Sequence, residues 1–163
     1  MTKLKTLLGA VTLTASTTAF AGILPVDHAN TIGYTVCGSA LTSLQSMLIG
    51  EQPHSTETVY NKKNPNVGAM SQTSNIIYTD GDVLVNSIVV RTGDTCHLEY
   101  TRTYYENTNC KDYARANGTS FKIFGNGYKV KTTNEFLTIY LIDGPNSSCI
   151  INRKEIIANA IAG

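Results

Sequence analysis

The chain has 163 residues, 42% of them hydrophobic, with 13 Lys and Arg against 12 Asp and Glu. That length carries enough apolar material for one real core. The near-neutral balance offers no general attraction to nucleic acid or to anionic lipid, both of which call for a basic surface.

Residues 1–21 read as a secretory signal peptide. Lys3 and Lys5 open it, Leu7 to Leu13 form an apolar stretch, and Thr18-Ala19-Phe20-Ala21 supplies the small-residue cleavage pattern before Gly22. The apolar stretch is broken by Thr12 and Thr14 and falls short of the roughly twenty apolar residues that span a bilayer. The short, lysine-led leader looks bacterial, which places residues 22–163 in the periplasm or outside the cell as a single secreted domain. Without Lys3 and Lys5 that domain holds 11 basic and 12 acidic residues, a net charge of −1. No second apolar run of spanning length follows, so no transmembrane segment is expected after cleavage.

The first periodic segment is Thr35 to Ile49, where Cys37, Ala40, Leu41, Leu44, Met47 and Leu48 recur at three and four, predicting an amphipathic helix that stops at Gly50. Its stripe is expected to face the core. From Gln52 to Ser74 the chain turns polar, with Pro53, Pro65 and Gly68. It reads as a long loop with at most a short strand around Thr58–Asn61. A loop of that length tends to be functional, and this one carries Lys62-Lys63 as a candidate partner contact.

Beyond Ser74 the rhythm is that of strands separated by turns at Asp80-Gly81-Asp82, Thr92-Gly93-Asp94, Gly125-Asn126-Gly127 and Asp143-Gly144-Pro145. The predicted strands are Asn75–Thr79, Val83–Arg91, Thr95–Tyr105, Ser120–Phe124, Tyr128–Thr132, Phe136–Ile142 and Ser148–Arg153. Val83–Arg91 has no cleanly polar face, and Leu137–Ile142 is almost wholly apolar, so both are expected inside the sheet. Asn109 caps a helix starting at Cys110, with Asp112 three positions on and Gly118 after its last turn. Ile156, Ile157, Ala160 and Ile161 fit helical spacing better than alternation, so Glu155–Ala162 is predicted as a terminal helix. The resulting fold class is α+β: a twisted, mainly antiparallel sheet with two or three short helices packed on it.

Four cysteines, Cys37, Cys96, Cys110 and Cys149, in a secreted chain predict two disulfides. Their spacing lacks the close pairs of a zinc site. A Cys96–Cys110 bridge is strained for reach, because an intervening strand rises about 3.3 Å per residue and bridged Cα atoms lie within about 7 Å. Cys37–Cys110 with Cys96–Cys149 is the favoured pairing, and Cys37–Cys96 with Cys110–Cys149 follows closely.

Catalytic patterns are thin. No nucleophile elbow, zinc-protease helix or phosphate-binding glycine loop is present, and no metal or cofactor is expected. Asp80 and Asp82 supply too few oxygens in sequence for a calcium loop. The sequons at Asn117 and Asn146 matter only in a glycosylating host. His97 and Glu99, on one strand face, and Asp94 are the first suspects if the protein is a small hydrolase. Tyr100, Arg102, Tyr104 and Tyr105 have the composition of a protein-binding hot spot, with Tyr104 and Tyr105 necessarily on opposite faces. The preferred expectation is a non-enzymatic binder of another macromolecule, such as an inhibitor, an immunity-like protein or an envelope accessory protein, with a protein partner. A hydrolase without a recognisable motif and a small-ligand-binding protein are the alternatives.

Overall fold

The computed structural model describes residues 24–161, with side chains to residue 157; the predicted leader and its cleavage site lie outside the described residues. The elements run α1 (Pro25–Thr31), α2 (Gly38–Leu48), β1 (His54–Val59), β2 (Ala69–Tyr78), β3 (Gly81–Thr92), β4 (Thr95–Glu106), α3 (Cys110–Ala116), β5 (Phe121–Phe124), β6 (Gly127–Val130), β7 (Leu137–Asp143) and β8 (Cys149–Ile161). The eight strands form one antiparallel sheet in the order β1-β2-β3-β4-β8-β7-β6-β5. β1 and β5 remain as free edges, so the sheet does not close into a barrel.

All three helices lie on one face of this sheet. Alternate residues of β2, β3 and β4 (Met70, Ile76, Val83, Val85, Val89, Cys96, Leu98) point to α1 and α2, whose Ala29, Ala40, Leu41, Leu44 and Leu48 complete a first core. Full burial of each large aliphatic side chain there contributes about 1.5–3 kcal/mol. Following the register across β8, β7 and β6 on the same face leads to Ile151, Leu141 and Val130, which meet Cys110 and Ala114 of α3 in a second core. Tyr104 packs against both cores.

Local chemistry explains the helix ends. The Asn109 side chain accepts from the Asp112 backbone N–H at 3.0 Å, and Gly118 takes a φ of +61° after α3, where an L side chain would be strained. Pro25 starts α1, where its missing N–H costs nothing.

The pairing favoured on sequence is not the one observed: the disulfides are Cys37–Cys96 (Cα–Cα 5.9 Å) and Cys110–Cys149 (4.7 Å). The reason is the layout of β4. Cys96 lies near its start, under the N-terminus of α2, whereas Glu106 at its far end pairs with Cys149, next to the entry of α3. Each bridge therefore ties a helix start to the strand beneath it.

Three other expectations are corrected. The polar stretch Gln52–Ser74 is no long loop, because β1 and the first half of β2 occupy most of it and leave a connection of residues 60–68. Apart from Met70, their inward side chains are polar: His54, Gln72 and Ser74 are buried, with Gln72 Nε2 donating to the Pro25 carbonyl at 2.9 Å and the Thr56 and Ser74 hydroxyls 2.8 Å apart. A polar inner layer gives no hydrophobic alternation to read. α1, which covers that layer, was not anticipated either. Finally, Glu155–Ile161 continues β8 as strand instead of forming a helix. Between Leu98↔Ile157 and Cys96↔Ala160, three steps along β8 match two along β4, so a bulge imposes in a strand the spacing that looks helical in sequence.

Candidate binding surfaces

The expected tyrosine–arginine cluster is divided by the sheet. On the helix-bearing face, in the seam between the two cores, lie Tyr100, Arg102 and Tyr104 of β4 and, beside them, Arg153 and Glu155 of β8. Tyr100 is only 3% exposed; its hydroxyl donates to Glu155 Oε2 at 2.6 Å, and Arg153 reaches the same oxygen at 3.2 Å. Burial, the hydrogen bond to Glu155 and that residue's charge push the Tyr100 phenol up to about 12, against the opposing pull of Arg153 and Arg102. Tyr100 therefore belongs to the core and not to a contact surface.

Arg102 and Arg153 stand directly opposite each other across β4 and β8, an unfavourable like-charge pair. Glu155 offsets it from one side, and the ring of Tyr104, 5.2 Å from the Arg102 guanidinium carbon, from the other. The Tyr104 and Tyr113 hydroxyls lie 3.3 Å apart, and burial with this contact raises the Tyr113 phenol. Sequence reasoning missed Tyr113, Arg153 and Glu155, because their approach depends on the β4–β8 register.

At the far end of β4 the ladder with β3 stops at Leu84↔Thr103, before either strand ends. The strands part into an open cleft of about 430 Å³ bordered by Tyr78, Asp80, Asp82, Arg102, Tyr104 and Glu106. Asp82 accepts from Asn75 Nδ2 at 3.2 Å. Among the described residues no group of three or more His, Cys, Asp or Glu side chains is placed to hold a metal ion.

Lys62 and Lys63 are exposed on the β1–β2 connection, at the opposite end of the strands from Tyr104 and Tyr105. That connection is pinned: Asn66 Nδ2 donates to the Gly33 carbonyl at 3.0 Å, and the Thr35 N–H donates to Asn66 Oδ1 at 2.9 Å. The six candidate partner residues thus fall into three places and do not form one surface.

The hydrolase suspects do not converge. Glu99 is 2.7 Å from Lys154 Nζ, and Asp94 pairs with Arg91 at 3.6 Å. His97 is exposed on the uncovered face, and the cleft at the end of β4 does not include it.

The uncovered face carries exposed apolar side chains. Among the described residues no helix packs on it, yet Ile77, Leu84, Ile88, Tyr105, Ile142 and Ile156 point from it, each between 41% and 50% exposed. The register arranges them. Tyr105, Ile150 and Ile142 are successive cross-strand neighbours, with Leu84 diagonal to Tyr105 and Ile77 diagonal to Leu84, forming an apolar band across one end. A polar belt of Asn86, Thr101, Lys154 and Thr138 follows, and then Ile88 and Ile156 on either side of Glu99. The sequence signal was the absence of a polar face in β3, read there as two-sided burial.

The chain matches no family model, no curated protein and no solved structure. Among the described residues no helix is long and apolar enough to cross a membrane.

Proposed function

We propose that the protein is a non-enzymatic binding module of the periplasm or extracellular space, which docks another protein on the uncovered face of its sheet. The observation that carries this reading is the apolar band on a face that none of the described elements covers. Exposed contiguous apolar surface of this kind marks an interaction site more often than ordinary sheet surface. Eight strands about 4.8 Å apart give a width of roughly 34 Å, ample for the ~800 Å² per partner of a standard interface. Both disulfides fit an oxidising compartment. Inhibitory, immunity-like and envelope-accessory roles all use such a surface, and the partner's identity distinguishes them.

The test is affinity capture with the oxidised protein beside a Leu84→Glu, Ile88→Glu variant and a Lys62→Ala, Lys63→Ala variant. A stoichiometric partner retained by the parent and lost from the Leu84/Ile88 variant is expected. Loss from the lysine variant as well would add the β1–β2 connection to the same interface. Equal retention by all three forms would overturn the choice of face.

A small-ligand reading rests on the β3–β4 cleft, whose volume of about 430 Å³ falls within the usual range for ligand sites. Its border is polar, with three carboxylates around Arg102. Loss of ligand-induced thermal stabilisation in Arg102→Ala would support that reading.

A further inference from the structure

The β5–β6 hairpin has a composition that the rest of the fold does not explain. It forms one free edge of the sheet, and its turn at Gly125-Asn126 carries no charge. Just behind the turn, Ile123 is 79% exposed and Phe124 is 56% exposed, and as neighbours on one strand they point to opposite faces. Behind them, Lys122 and Lys129 stand directly opposite each other, a placement that repels. With Lys131 they border a concavity of about 490 Å³ that also holds Asn134, Thr138 and a single acid, Glu135. No ion pair among the described residues engages these three lysines. Lys129 instead lies 5.7 Å from the ring centre of Tyr140, which also contacts Phe124 at 5.1 Å.

A protein partner lying on one face of the sheet would cover Phe124 and leave Ile123 in water. Only surroundings that envelop the tip remove both from water. A bilayer interface does so, and its phosphates supply the negative charge that three converging lysines lack. Tyr140, between lysine and phenylalanine, has the amphipathic character found at headgroup depth.

We propose that this hairpin is a membrane-docking element that seats on an anionic bilayer, with Ile123 and Phe124 in the boundary between headgroups and acyl chains and Lys122, Lys129 and Lys131 on lipid phosphates. The near-neutral net charge of the chain does not oppose this, because the attraction is local and acts within a Debye length of about 8–10 Å. Phe124 adjoins Ile142 on the uncovered face, but Ile123 points to the opposite face, so the burial of Ile123 distinguishes lipid docking from a protein partner on the uncovered face alone.

The chain contains no tryptophan, so Phe124→Trp and Ile123→Trp each introduce a single reporter at an exposed position. Both are made in the same full-chain background, so that residues 1–23 contribute equally to every arm. With vesicles of phosphatidylglycerol and phosphatidylcholine, the emission of both variants is expected to shift to the blue, and with phosphatidylcholine alone neither should shift. Replacing Lys122, Lys129 and Lys131 by Gln, a change that relieves repulsion and leaves the fold intact, is expected to weaken partitioning roughly a hundredfold at low salt. A shift confined to Phe124→Trp would mean contact with one face only and would overturn the proposal. Equal binding to neutral vesicles, an unaffected lysine variant, or displacement by millimolar inorganic phosphate, which would indicate a site for free anions, would overturn it equally.

Discussion

A phenol buried at the seam of two cores titrates late. Tyr100 holds its proton to about 12 against an ordinary value of 10.0, so between those values the folded chain retains a proton that the unfolded chain has released. The stabilisation from Tyr100 is therefore complete below pH 10 and is lost as pH rises through 12. Tyrosinate absorbance should show a late-titrating fraction that shrinks in Tyr100→Phe, and the stability of the parent should fall over the same window. A Tyr100→Phe variant with an unchanged titration would contradict the placement of this side chain beside Glu155. Gly127 is constrained by space: a Cβ there would meet the Leu141 carbonyl oxygen at 2.5 Å, and that oxygen belongs to the neighbouring strand. Gly127→Ala should force β6 away from β7 and cost about 1–3 kcal/mol in denaturant unfolding. An unchanged midpoint would show that the two strands lie farther apart.

At the scale of elements, the two disulfides act alike. Each fastens a helix N-terminus to the sheet, and the loops they close span 59 and 39 residues, so their chain-entropy contributions should differ by less than ~0.5 kcal/mol. Removing either pair, as Cys37→Ala with Cys96→Ala or Cys110→Ala with Cys149→Ala, should cost about 2–5 kcal/mol. A melting temperature that stays put after complete reduction would show that neither bridge supports the fold. α2 was legible from its apolar spacing and α3 from its Asn109 cap, both local signals. β1 was not, because its inward residues His54, Thr56 and Thr58 are polar, with the two threonines hydrogen-bonded to α1 and β2. The end of β8 was misread because a bulge changes its period.

At the scale of the molecule, one sheet has two unlike faces. Leu84 and Val85 are adjacent in β3, yet Val85 is 3% exposed beneath α2 and Leu84 is 41% exposed on the bare side. Val89 of the same strand is fully buried opposite Leu98, so Val89→Asp should cost more than ~3 kcal/mol by burying an unpaired charge, while Leu84→Asp should change stability by about 0.5 kcal/mol or less. Urea titration of the two variants checks this directly. Equal losses would mean that something covers both faces.

Local chemistry settled much from the sequence alone: the capped helix at Cys110, the amphipathic helix after Cys37, the turns that separate β3 from β4 and β5 from β6, and the α+β class they imply. The opposed directions of Tyr104 and Tyr105 followed from the two-residue period of a strand, and Tyr105 does point away from the helices. What only the tertiary structure decided is everything that depends on which distant segments become neighbours. The pairing of β4 with β8 selected the disulfides, set Arg102 against Arg153 and sent Tyr100 into the core. The gathering of all three helices on one side left Leu84, Ile88 and Ile156 bare. Alternation along a strand says that its two faces differ or agree, but it carries no information about whether another layer will cover them.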